Sequence, residues 1–511
     1  MGLAQILSRA QVGLAAPLVR VEVHLGSGLP SFTVVGLPAP VVRESKERVR
    51  AALAHCGYEF PAGRITVNLA PADLPKEGGR FDLAIALGIL SASGQLPGVG
   101  DLAGHECYGE LGLAGELKPV PGLLLAALQG SRVGHRLLVP VGNAAEARLA
   151  GCVGLQVAST LPEACALLAG EAVAPAAEVT EAAPAAAAFA PPPDLAEVRG
   201  QWQARRALLI AAVGGHSLLL TGPPGAGKSM LAQRLPGLLP PLSHDEALEV
   251  AAIDAIAQRR PGVQHWGQRP FRAPHHTASA HAIVGGGRDA RPGEVSLAHR
   301  GVLFLDELPE FDRRVLEGLR EPLETGTVSV SRANLRAEYP AAFQLVAAMN
   351  PCPCGYLGDA SGRCRCGERE IERYRRRLSG PLLDRIDLHV AMRRVETGAL
   401  ISRQAADVPQ PDSRQAAEQV AQARERQQQR QGRLNSALGA GEVLACSGAD
   451  AQALALLERA ASRLDLSARA THRVLKVARS IADLAGEARL GAAQLAEALA
   501  LRAPAGSAGG A

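Results

Sequence analysis

The residues from Ser217 to Met230, SLLLTGPPGAGKSM, have the types and the spacing of a phosphate-binding loop. A short apolar run is followed by a glycine-rich turn and then by a stretch with helical spacing. Glycines let backbone N–H groups approach phosphate oxygens closely, and the positive end of the following helix attracts the same anion. The residues predicted to hold the phosphates of ATP are Gly222, Pro223, Pro224, Gly225, Ala226, Gly227, Lys228 and Ser229.

Two of these side chains have chemistry suited to a bound nucleotide. The Lys228 ammonium can reach the β and γ phosphates, and the Ser229 hydroxyl can ligate Mg²⁺. A second motif, GVLFLDE from Gly301, is an apolar strand that ends in adjacent carboxylates. Since it follows the loop by about eighty residues, it indicates a Mg²⁺ site at Asp306, with Glu307 orienting the attacking water. The two motifs together predict an ATP hydrolase.

Four cysteines lie close together after the second motif, with the spacing C-x-C, nine residues, C-x-C. Four thiolates at Cys352, Cys354, Cys364 and Cys366 would close a tetrahedral Zn²⁺ site and staple a loop that has no core of its own. One residue within each pair is fewer than the usual two to four, so free thiols remain the alternative.

The segment between the two nucleotide motifs, Phe271 to Glu294, is rich in glycine, histidine and arginine and has no helical period. It is either an ordinary surface loop or an inserted loop that faces a central pore. In the second interpretation Arg272, His275 and His276 would contact the phosphates of a nucleic acid.

Composition limits the function classes without choosing among them. The chain has 511 residues and a formal net charge of +4, so any case for nucleic acid must come from local patches. No apolar run approaches the ~18 residues of a membrane span, and the first residues lack a signal pattern. Clustered cysteines fit a reducing compartment better than a disulfide framework. We therefore expect a cytoplasmic protein that does not enter membranes.

These motifs need elements to position them. Apolar strand-like runs alternate with helical stretches from about Val21 to Leu168, which predicts an α/β domain. After the second motif a helix precedes a hairpin, with Asn334 at the turn and Arg332 and Arg336 beside it. The predicted domains are an α/β domain at 1–170, an Ala/Pro-rich linker at 171–193, an ATPase core with pore insert, hairpin and cysteine cluster at 194–395, a solvated helical connector at 396–444, a four-helix lid at 445–503 and a disordered tail at 504–511.

Two segments of the first domain, VNLAPADLPKEGGRFDLAIALGIL and GELGLAGELKPVPGLLLAAL, resemble the Lon-protease fold at the front of Mg-chelatase-like proteins of the YifB/ComM family. In this resemblance the catalytic serine falls at Arg80, and the lysine falls at or near Leu124. Without a nucleophile and an activating amine there is no acyl-transfer chemistry. The expected fold class is α/β, with an inactive Lon-like domain followed by an AAA+ P-loop ATPase core and a C-terminal helical lid.

The order of the ATPase motifs is similar to that in the branch of AAA+ proteins that includes Mg-chelatase, the MCM helicases and the YifB/ComM family. The resemblance implies that Asn350 lies between the water and the γ-phosphate and that Arg385 is supplied to the ATP of a neighbouring subunit. It also implies that Arg469 is the lid arginine that reaches the γ-phosphate, with Arg473, one turn further on, as the alternative. Arg385 is otherwise a structural residue, paired with Asp384 or Asp387. An arginine supplied to a neighbour predicts a closed ring, usually of six copies.

What the family resemblance implies is a hexameric ATP-driven DNA motor that promotes branch migration of recombination intermediates during natural transformation. Its partners would be single-stranded and branched DNA, which Arg332 and Arg336 would grip in the pore. The alternative is a solvated hairpin whose arginines are incidental. A Mg-chelatase-type motor that acts on a partner protein is the second interpretation, and an ATP-dependent protease, which Arg80 opposes, is the third.

Overall fold

A computed structural model of the chain describes residues 2–96, 102, 104–171, 192–257, 266–287, 290–332, 335–359, 362–394 and 411–502. These residues form two compact units. Of the described residues, the first unit contains those up to 171 together with 244–257 and Trp266, and the second contains the remainder. The predicted linker lies almost entirely outside the described residues, and the predicted tail lies wholly outside them.

A mixed seven-stranded sheet forms the centre of the first unit, counted over the described residues. Its strands are β1 (Gly2–Arg9), β2 (Leu18–Gly26), β3 (Ser31–Val35), β4 (Arg64–Ala70), β5 (His105–Cys107), β8 (Arg136–Pro140) and β9 (Leu155–Ala158), with a small β6 (Glu110–Leu111) and β7 (Leu117–Lys118) ribbon apart from it. The order is β3-β4-β2-β1-β5-β8-β9; β1–β2 and β2–β4 are antiparallel, and the other pairs are parallel.

Helices cover this sheet, and one of them is apolar on all sides. The helices are α1 (Pro40–Arg43), α2 (Ser45–His55), α3 (Asp82–Ala92), α4 (Leu123–Val133), α5 (Ala144–Leu149) and α6 (Leu161–Leu168). Residues Asp82 to Leu90 of α3 are all buried, as a helix without a polar face must be. Gly88 lets this helix lie close to the sheet, because a Cβ there would be 2.5 Å from a methyl carbon of Val23.

The second unit is built on a sheet of five parallel strands, counted over the described residues. The strands are β10 (Leu218–Thr221), β11 (Phe271–Arg272), β14 (Val302–Leu305), β17 (Gln344–Met349) and β18 (Leu388–Ala391), in the order β11-β14-β17-β10-β18. The runs LLL, VLFL and QLVAAM are buried along their whole length, as strands of a parallel sheet covered on both faces must be. Two hairpins lie outside this sheet, β12 (Gly285–Gly286) with β13 (Arg291–Pro292) and β15 (Thr327–Arg332) with β16 (Leu335–Pro340).

Short helices connect these strands. They are α7 (Trp202–Gly214), α8 (Lys228–Ala232), α9 (Leu235–Leu238), α11 (Ala280–Val284), α12 (Glu294–Leu297), α13 (Arg313–Gly318), α14 (Arg320–Thr325), α15 (Glu368–Arg375) and α16 (Gly380–Leu383). The segment after Phe271, which the sequence indicated to be without a helix, contains α11, whose first turn is capped by the Ser279 hydroxyl.

One helix belongs to a different unit from the one that the sequence predicted. The helix α10 (His244–Ile256) falls inside the predicted 194–395 core, yet it groups with the first unit. Ala251 and Ala252 of this helix are buried in the same apolar cluster as Leu124 of α4. Its small apolar residues are compatible with either core, so only the packing decides which one it joins.

The C-terminal part of the second unit is helical, as predicted, but its packing differs. Its helices are α17 (Ser413–Gln431), α18 (Val443–Ser447), α19 (Ala451–Arg463), α20 (Ala468–Ala485) and α21 (Ala492–Ala500). The sequence predicted a lid of four helices starting at residue 445. In the described residues three helices, α19 to α21, start after that residue, and α18 starts just before it. The connector helix α17 is not fully solvated, because Ala416, Val420 and Ala423 form a buried stripe at helical spacing. Its many Gln and Arg residues conceal this stripe in the composition.

Among the described residues, none of the helices combines the length and the apolar character needed to cross a lipid bilayer.

Candidate nucleotide site

The loop between β10 and α8 has the geometry that its glycines allow. Gly225 and Gly227 have φ angles of 78° and 89°, in the left-handed region that favours glycine. A Cβ at Gly222 would lie 2.6 Å from the carbonyl oxygen of Met392, so a larger residue is excluded there. The loop therefore exposes backbone N–H groups at the start of α8, where an anion is stabilised.

The Lys228 side chain is folded back into this loop. Its Nζ donates to the carbonyl oxygens of Gly222 at 2.6 Å and Pro223 at 3.1 Å, and to Oδ1 of Asn350 at 3.0 Å. Burial lowers the pKa of Lys228, because an ammonium is disfavoured away from water. A phosphate entering the loop would offer Lys228 a charged acceptor in place of these neutral ones.

The predicted Mg²⁺ ligands lie together. The Ser229 hydroxyl donates to Oδ2 of Asp306 at 2.6 Å. Parallel strands β10, β14 and β17 are neighbours in the sheet and end at the same edge. This common edge is the reason that Ser229, Asp306 and Asn350 converge although they are far apart in the chain.

Glu307 lies at the mouth of the same site. Its side chain is 54% exposed, and its backbone has a φ of 52°, which is uncommon for a residue with a side chain. Its carboxylate lies 3.3 Å from Nδ1 of His276. The predicted water-orienting group is thus accessible to solvent, as a general base for water must be.

The other predicted phosphate contacts of this segment are engaged within the chain. Arg272 forms a two-pronged ion pair with Glu294, at 2.6 and 2.8 Å. His275 shares a 2.9 Å hydrogen bond with the hydroxyl of Thr277. Sequence patterns gave no signal for the Arg272–Glu294 pair or for the neighbourhood of His276 and Glu307, because each pair joins separate elements.

Gln201 connects the phosphate loop to the end of the sheet. Its Nε2 donates to the carbonyl oxygens of Ala226 at 3.0 Å and Arg393 at 2.5 Å, and its backbone φ is 51°. Val198, three residues before Gln201, is buried. This turn therefore lies beside the phosphate-binding loop.

Arg385 and Arg469 lie side by side on one carboxylate that the sequence did not single out. Nη2 of Arg385 is 2.7 Å from Oε2 of Glu324, and Nη1 of Arg469 is 2.9 Å from Oε1 of the same side chain. These contacts lower the pKa of Glu324, with Arg385 contributing most. Glu324 lies in α14, which comes after β14 in the chain. No motif surrounds it, so nothing in the sequence indicated its role.

The alternatives for these arginines are decided by their partners. Arg473 is paired with Asp387 and also donates to the carbonyl oxygen of Arg385 at 2.9 Å. Asp384 lies 3.6 Å from Arg502. Arg385 is therefore not paired with either of the two aspartates proposed for it from the sequence. Of the two candidate lid arginines, Arg469 is the exposed one.

The four cysteine sulfurs form one cluster. Sγ–Sγ distances are 3.4 Å for Cys352–Cys354, 3.8 Å for Cys352–Cys364 and 3.7 Å for Cys354–Cys364, and all four sulfurs, that of Cys366 included, lie within 4.8 Å of one another. A tetrahedral site with Zn–S bonds of about 2.3 Å has S–S edges of about 3.8 Å, so the spacing fits zinc. Backbone N–H groups of Tyr356 and Arg365 donate to the Cys354 sulfur and lower its pKa to about 6, which favours the thiolate.

The cysteine loop touches the phosphate loop. It begins two residues after Asn350, and a Cβ at Gly355 would lie 2.7 Å from Pro224 and 3.7 Å from the Asn350 side chain. A cluster that fixes this loop would therefore also fix Asn350 against the nucleotide site.

The hairpin β15–β16 is present where the sequence predicted it. In its register Ser331 is opposite Arg336, and Arg332 is opposite Leu335. Asn334 and the side chains of Arg332 and Arg336 lie outside the described residues, so the two predicted DNA contacts remain predictions.

The first unit has no serine–lysine pair at the predicted Lon positions. Arg80 is buried, and its Nη2 donates to Oε1 of Gln11 at 3.0 Å and to the carbonyl oxygen of Pro121 at 2.5 Å. Leu124 is buried in the core. Both positions are used for packing and hydrogen bonding.

Comparison with known proteins gives matches over nearly the whole chain. The family model described as "Magnesium chelatase, subunit ChlI" matches residues 194–400, "Subunit ChlI of Mg-chelatase" matches 21–143, and "Magnesium chelatase, subunit ChlI C-terminal" matches 410–502. Competence protein ComM of Haemophilus influenzae is 48% identical over 98% of this chain and 98% of its own length. The uncharacterized protein YifB of Escherichia coli is 47% identical over 95% of this chain and 94% of its own length. The magnesium-chelatase 38 kDa subunit of Cereibacter sphaeroides is 27% identical over 30% of this chain and 51% of its own length.

Proposed function

Because the chain belongs to the YifB/ComM family of Mg-chelatase-like AAA+ proteins, we propose that it is a hexameric ATP-driven DNA translocase. Membership of this AAA+ family implies ATPase activity with ATP and Mg²⁺. The translocase would promote branch migration of recombination intermediates during natural transformation, acting on single-stranded and branched DNA in the cytoplasm. A similar protein named for competence supports this assignment.

The observation that carries the ATPase part is the convergence at one sheet edge of Lys228, Ser229, Asp306 and Asn350. Lys228 and Asn350 would contact the γ-phosphate, and Ser229 and Asp306 would hold Mg²⁺, whose charge offsets that of the phosphates. Glu307, exposed beside them, would orient the attacking water. Arg385 would contribute to the ATP of a neighbouring copy, and Arg469 of the helical lid would reach a γ-phosphate.

The part that concerns DNA rests on the hairpin and on the family. A two-stranded hairpin inserted just before the strand that ends at Asn350 is well placed to respond to the nucleotide. We propose that Arg332 and Arg336 contact DNA phosphates in the pore. Arg272, His275 and His276 are retained as further contacts. Arg272 would have to leave Glu294, and His276 would have to leave Glu307.

Two structural assignments complete the proposal. We assign Zn²⁺ to Cys352, Cys354, Cys364 and Cys366, on the ground of the sulfur spacing. The first unit is proposed to be an inactive Lon-like domain, and burial of Arg80 at the expected serine position supports the loss of peptidase activity.

The second candidate is a Mg-chelatase-type motor that acts on a partner protein. The family descriptions favour it, but the chelatase subunits match only 30% to 33% of this chain, whereas ComM matches 98%. The extent of the match favours the translocase.

The test is the ATPase rate of the full chain with and without single-stranded DNA. We expect DNA to stimulate hydrolysis, and we expect Glu307→Gln to bind ATP and retain DNA without turnover. Binding should weaken as salt rises and in Arg332→Ala/Arg336→Ala, since phosphate contacts release counterions. An ATPase that ignores DNA, together with a Glu307→Gln variant that retains none, would refute the translocase and leave the chelatase-type motor.

A further inference from the structure

Glu324 occupies the last turn of α14 and holds two arginines that come from different elements. Arg385 follows α16, and Arg469 lies in the first turn of α20. Each places one guanidinium nitrogen within 3 Å of a different oxygen of the Glu324 carboxylate, at 2.7 and 2.9 Å. One carboxylate thus joins the helical lid to the core of the same unit.

The three side chains differ in exposure. Arg469 is 72% exposed, Glu324 39% and Arg385 13%. Nη1 of Arg385 donates to the carbonyl oxygen of Pro381 at 2.8 Å, while its Nε is buried without a hydrogen-bond partner. The Arg385 guanidinium therefore has a donor left unsatisfied, and Glu324 is its charged acceptor among the described residues.

A carboxylate and a phosphate compete for the same donors. Both are anionic groups with two oxygens that can accept parallel N–H bonds from a guanidinium, and phosphate carries more charge. Arg385 and Arg469 both reach the Glu324 carboxylate. A phosphate at the same place could therefore accept hydrogen bonds from both arginines.

Glu324 is also close to the hairpin in the chain. Helix α14 ends at Thr325, Gly326 turns the chain with a φ of 70°, and β15 begins at Thr327. The chain leaves the hairpin beside the same turn. There the N–H of Ala341, directly after β16, donates to the carbonyl oxygen of Gly326 at 2.7 Å. Any movement of the last turn of α14 must therefore move the base of the hairpin.

We propose that Glu324 is a positioning residue whose carboxylate competes with the nucleotide phosphate of a neighbouring copy for Arg385 and Arg469. When the two arginines leave Glu324, the base of the hairpin moves. This inference rests on the proposed function, since a ring is needed to supply that phosphate. With the phosphate present, the arginines leave Glu324 and the last turn of α14 is freed from the lid. After hydrolysis and phosphate loss, the ion pairs re-form and the hairpin returns.

The experiment compares Glu324→Gln with Glu321→Gln in the full chain. Glu321 is an exposed residue of the same helix, and its side chain has no charged partner among the described contacts, so it is a matched control. Glu324→Gln should lower the ATP concentration for half-maximal hydrolysis and for hexamer formation by about three- to tenfold, the worth of two partly exposed ion pairs. It should also reduce the stimulation of hydrolysis by single-stranded DNA towards none. Glu321→Gln should behave as wild type in both measurements.

Other outcomes would overturn the inference. If Glu324→Gln raises the ATP requirement, as Arg385→Ala is expected to do, then Glu324 orients the arginines and does not compete with phosphate. If it equals Glu321→Gln, Glu324 has no part in either step. The conservative variant Glu324→Asp, which keeps the charge on a shorter side chain, should fall between wild type and Glu324→Gln.

Failure of the inference can be told apart from failure of the proposed function. A wild-type chain without ATPase activity, or an Arg385→Ala chain as active as wild type, would refute the shared nucleotide site and the inference with it. The role of Glu324 alone would be refuted if the wild type is active, Arg385→Ala is inactive and Glu324→Gln behaves like Glu321→Gln. Unchanged thermal unfolding of Glu324→Gln would show that the effects do not come from misfolding.

Discussion

At the scale of single residues, the nucleotide site separates two carboxylates that are adjacent in the chain. Asp306 turns inward to the Ser229 hydroxyl, whereas Glu307 has a left-handed backbone and points to solvent and His276. Holding a residue with a side chain in this conformation has an energetic cost, and such positions cluster at functional sites. We propose that this turn gives the two neighbouring carboxylates two different tasks, Mg²⁺ binding for Asp306 and water orientation for Glu307.

These tasks predict different defects for Asp306→Asn and Glu307→Gln. An amide is a poorer partner for a Mg²⁺ ion and its waters, so Asp306→Asn should raise the Mg²⁺ concentration needed for half-maximal ATPase activity by about 10- to 100-fold. Glu307→Gln should leave that concentration unchanged and lower kcat by about 10²- to 10⁴-fold, because it removes a group that accepts a proton from water. Steady-state phosphate release over a Mg²⁺ titration measures both. Equal Mg²⁺ shifts in the two variants would contradict this division.

At the scale of elements, the cysteine loop is a segment that a bound metal would stabilise. It follows the strand that ends at Asn350 and contacts Pro224 of the phosphate loop, yet Cys352 is its one fully buried cysteine. A metal bound to four sulfurs would supply the stability that apolar burial does not.

The zinc assignment predicts about one zinc per chain in protein purified without chelator. Cys364→Ser and Cys366→Ser should each lose the metal and reduce ATPase activity, because the loop that supports Asn350 loosens. Cys446→Ser is the control, since this cysteine lies outside the cluster. Elemental analysis by mass spectrometry and the ATPase rate are the measurements. Full activity in metal-free protein would show that the cluster consists of free thiols without a structural role.

The C-terminal helices are held to one another by a buried charged network. Asp483 in α20 is buried and accepts from Arg430 of α17 at 2.7 and 2.9 Å, from Arg479 at 3.1 Å and from Asn435 at 2.8 Å. Arg479 is itself buried. Each charge in this network is compensated only while the others are present.

Removing Asp483 should therefore destabilise the bundle strongly. Asp483→Ala leaves buried Arg479 without its carboxylate, which costs about 3–5 kcal/mol. Hydrogen exchange of the α20 amides should accelerate by about 10²- to 10⁴-fold, in proportion to that loss. Glu458→Ala, on the exposed side of α19, should leave the exchange rates unchanged. Normal protection of α20 in Asp483→Ala would mean that apolar packing alone holds the helix.

At the scale of the whole molecule, activity is proposed to belong to the ring and not to one chain. The arginines proposed to complete the chemistry are held on Glu324 and do not touch Lys228 or Glu307 of the same chain in any described contact. A site completed by a neighbour cannot work in a monomer, and a head-to-tail interface that closes gives every copy the same neighbour.

Mixing two inactive variants tests this arrangement. Arg385→Ala has an intact ATP site, and Glu307→Gln has an intact arginine. In a randomly mixed ring about one junction in four combines the two intact halves, so about a quarter of the activity should return. Glu307→Gln mixed with Lys228→Ala is the control, because both changes damage the same half of the junction and no activity should return. Absence of recovery in the first mixture would show that Arg385 acts within its own chain.

The sequence by itself determined the family and the nucleotide-binding motifs. The predicted YifB/ComM membership is confirmed by full-length similarity to ComM and YifB. Residues Gly222 to Ser229 and the Asp306–Glu307 pair are readable because each motif is contiguous, and its backbone needs glycine or its strand needs apolar residues at fixed places. The alternation of apolar runs and helical stretches likewise predicted α/β units and helices at the C-terminal end.

Only the tertiary structure decided which distant residues meet. Glu324 has no pattern around it, and it becomes a partner of Arg385 and Arg469 because three separate elements end at the same place. The assignment of α10 to the first unit and the burial of one stripe of α17 are further cases, since small apolar residues suit many surfaces. Local sequence fixes backbone conformation and chemical type, whereas long-range contacts depend on how the whole chain packs, which no short segment encodes.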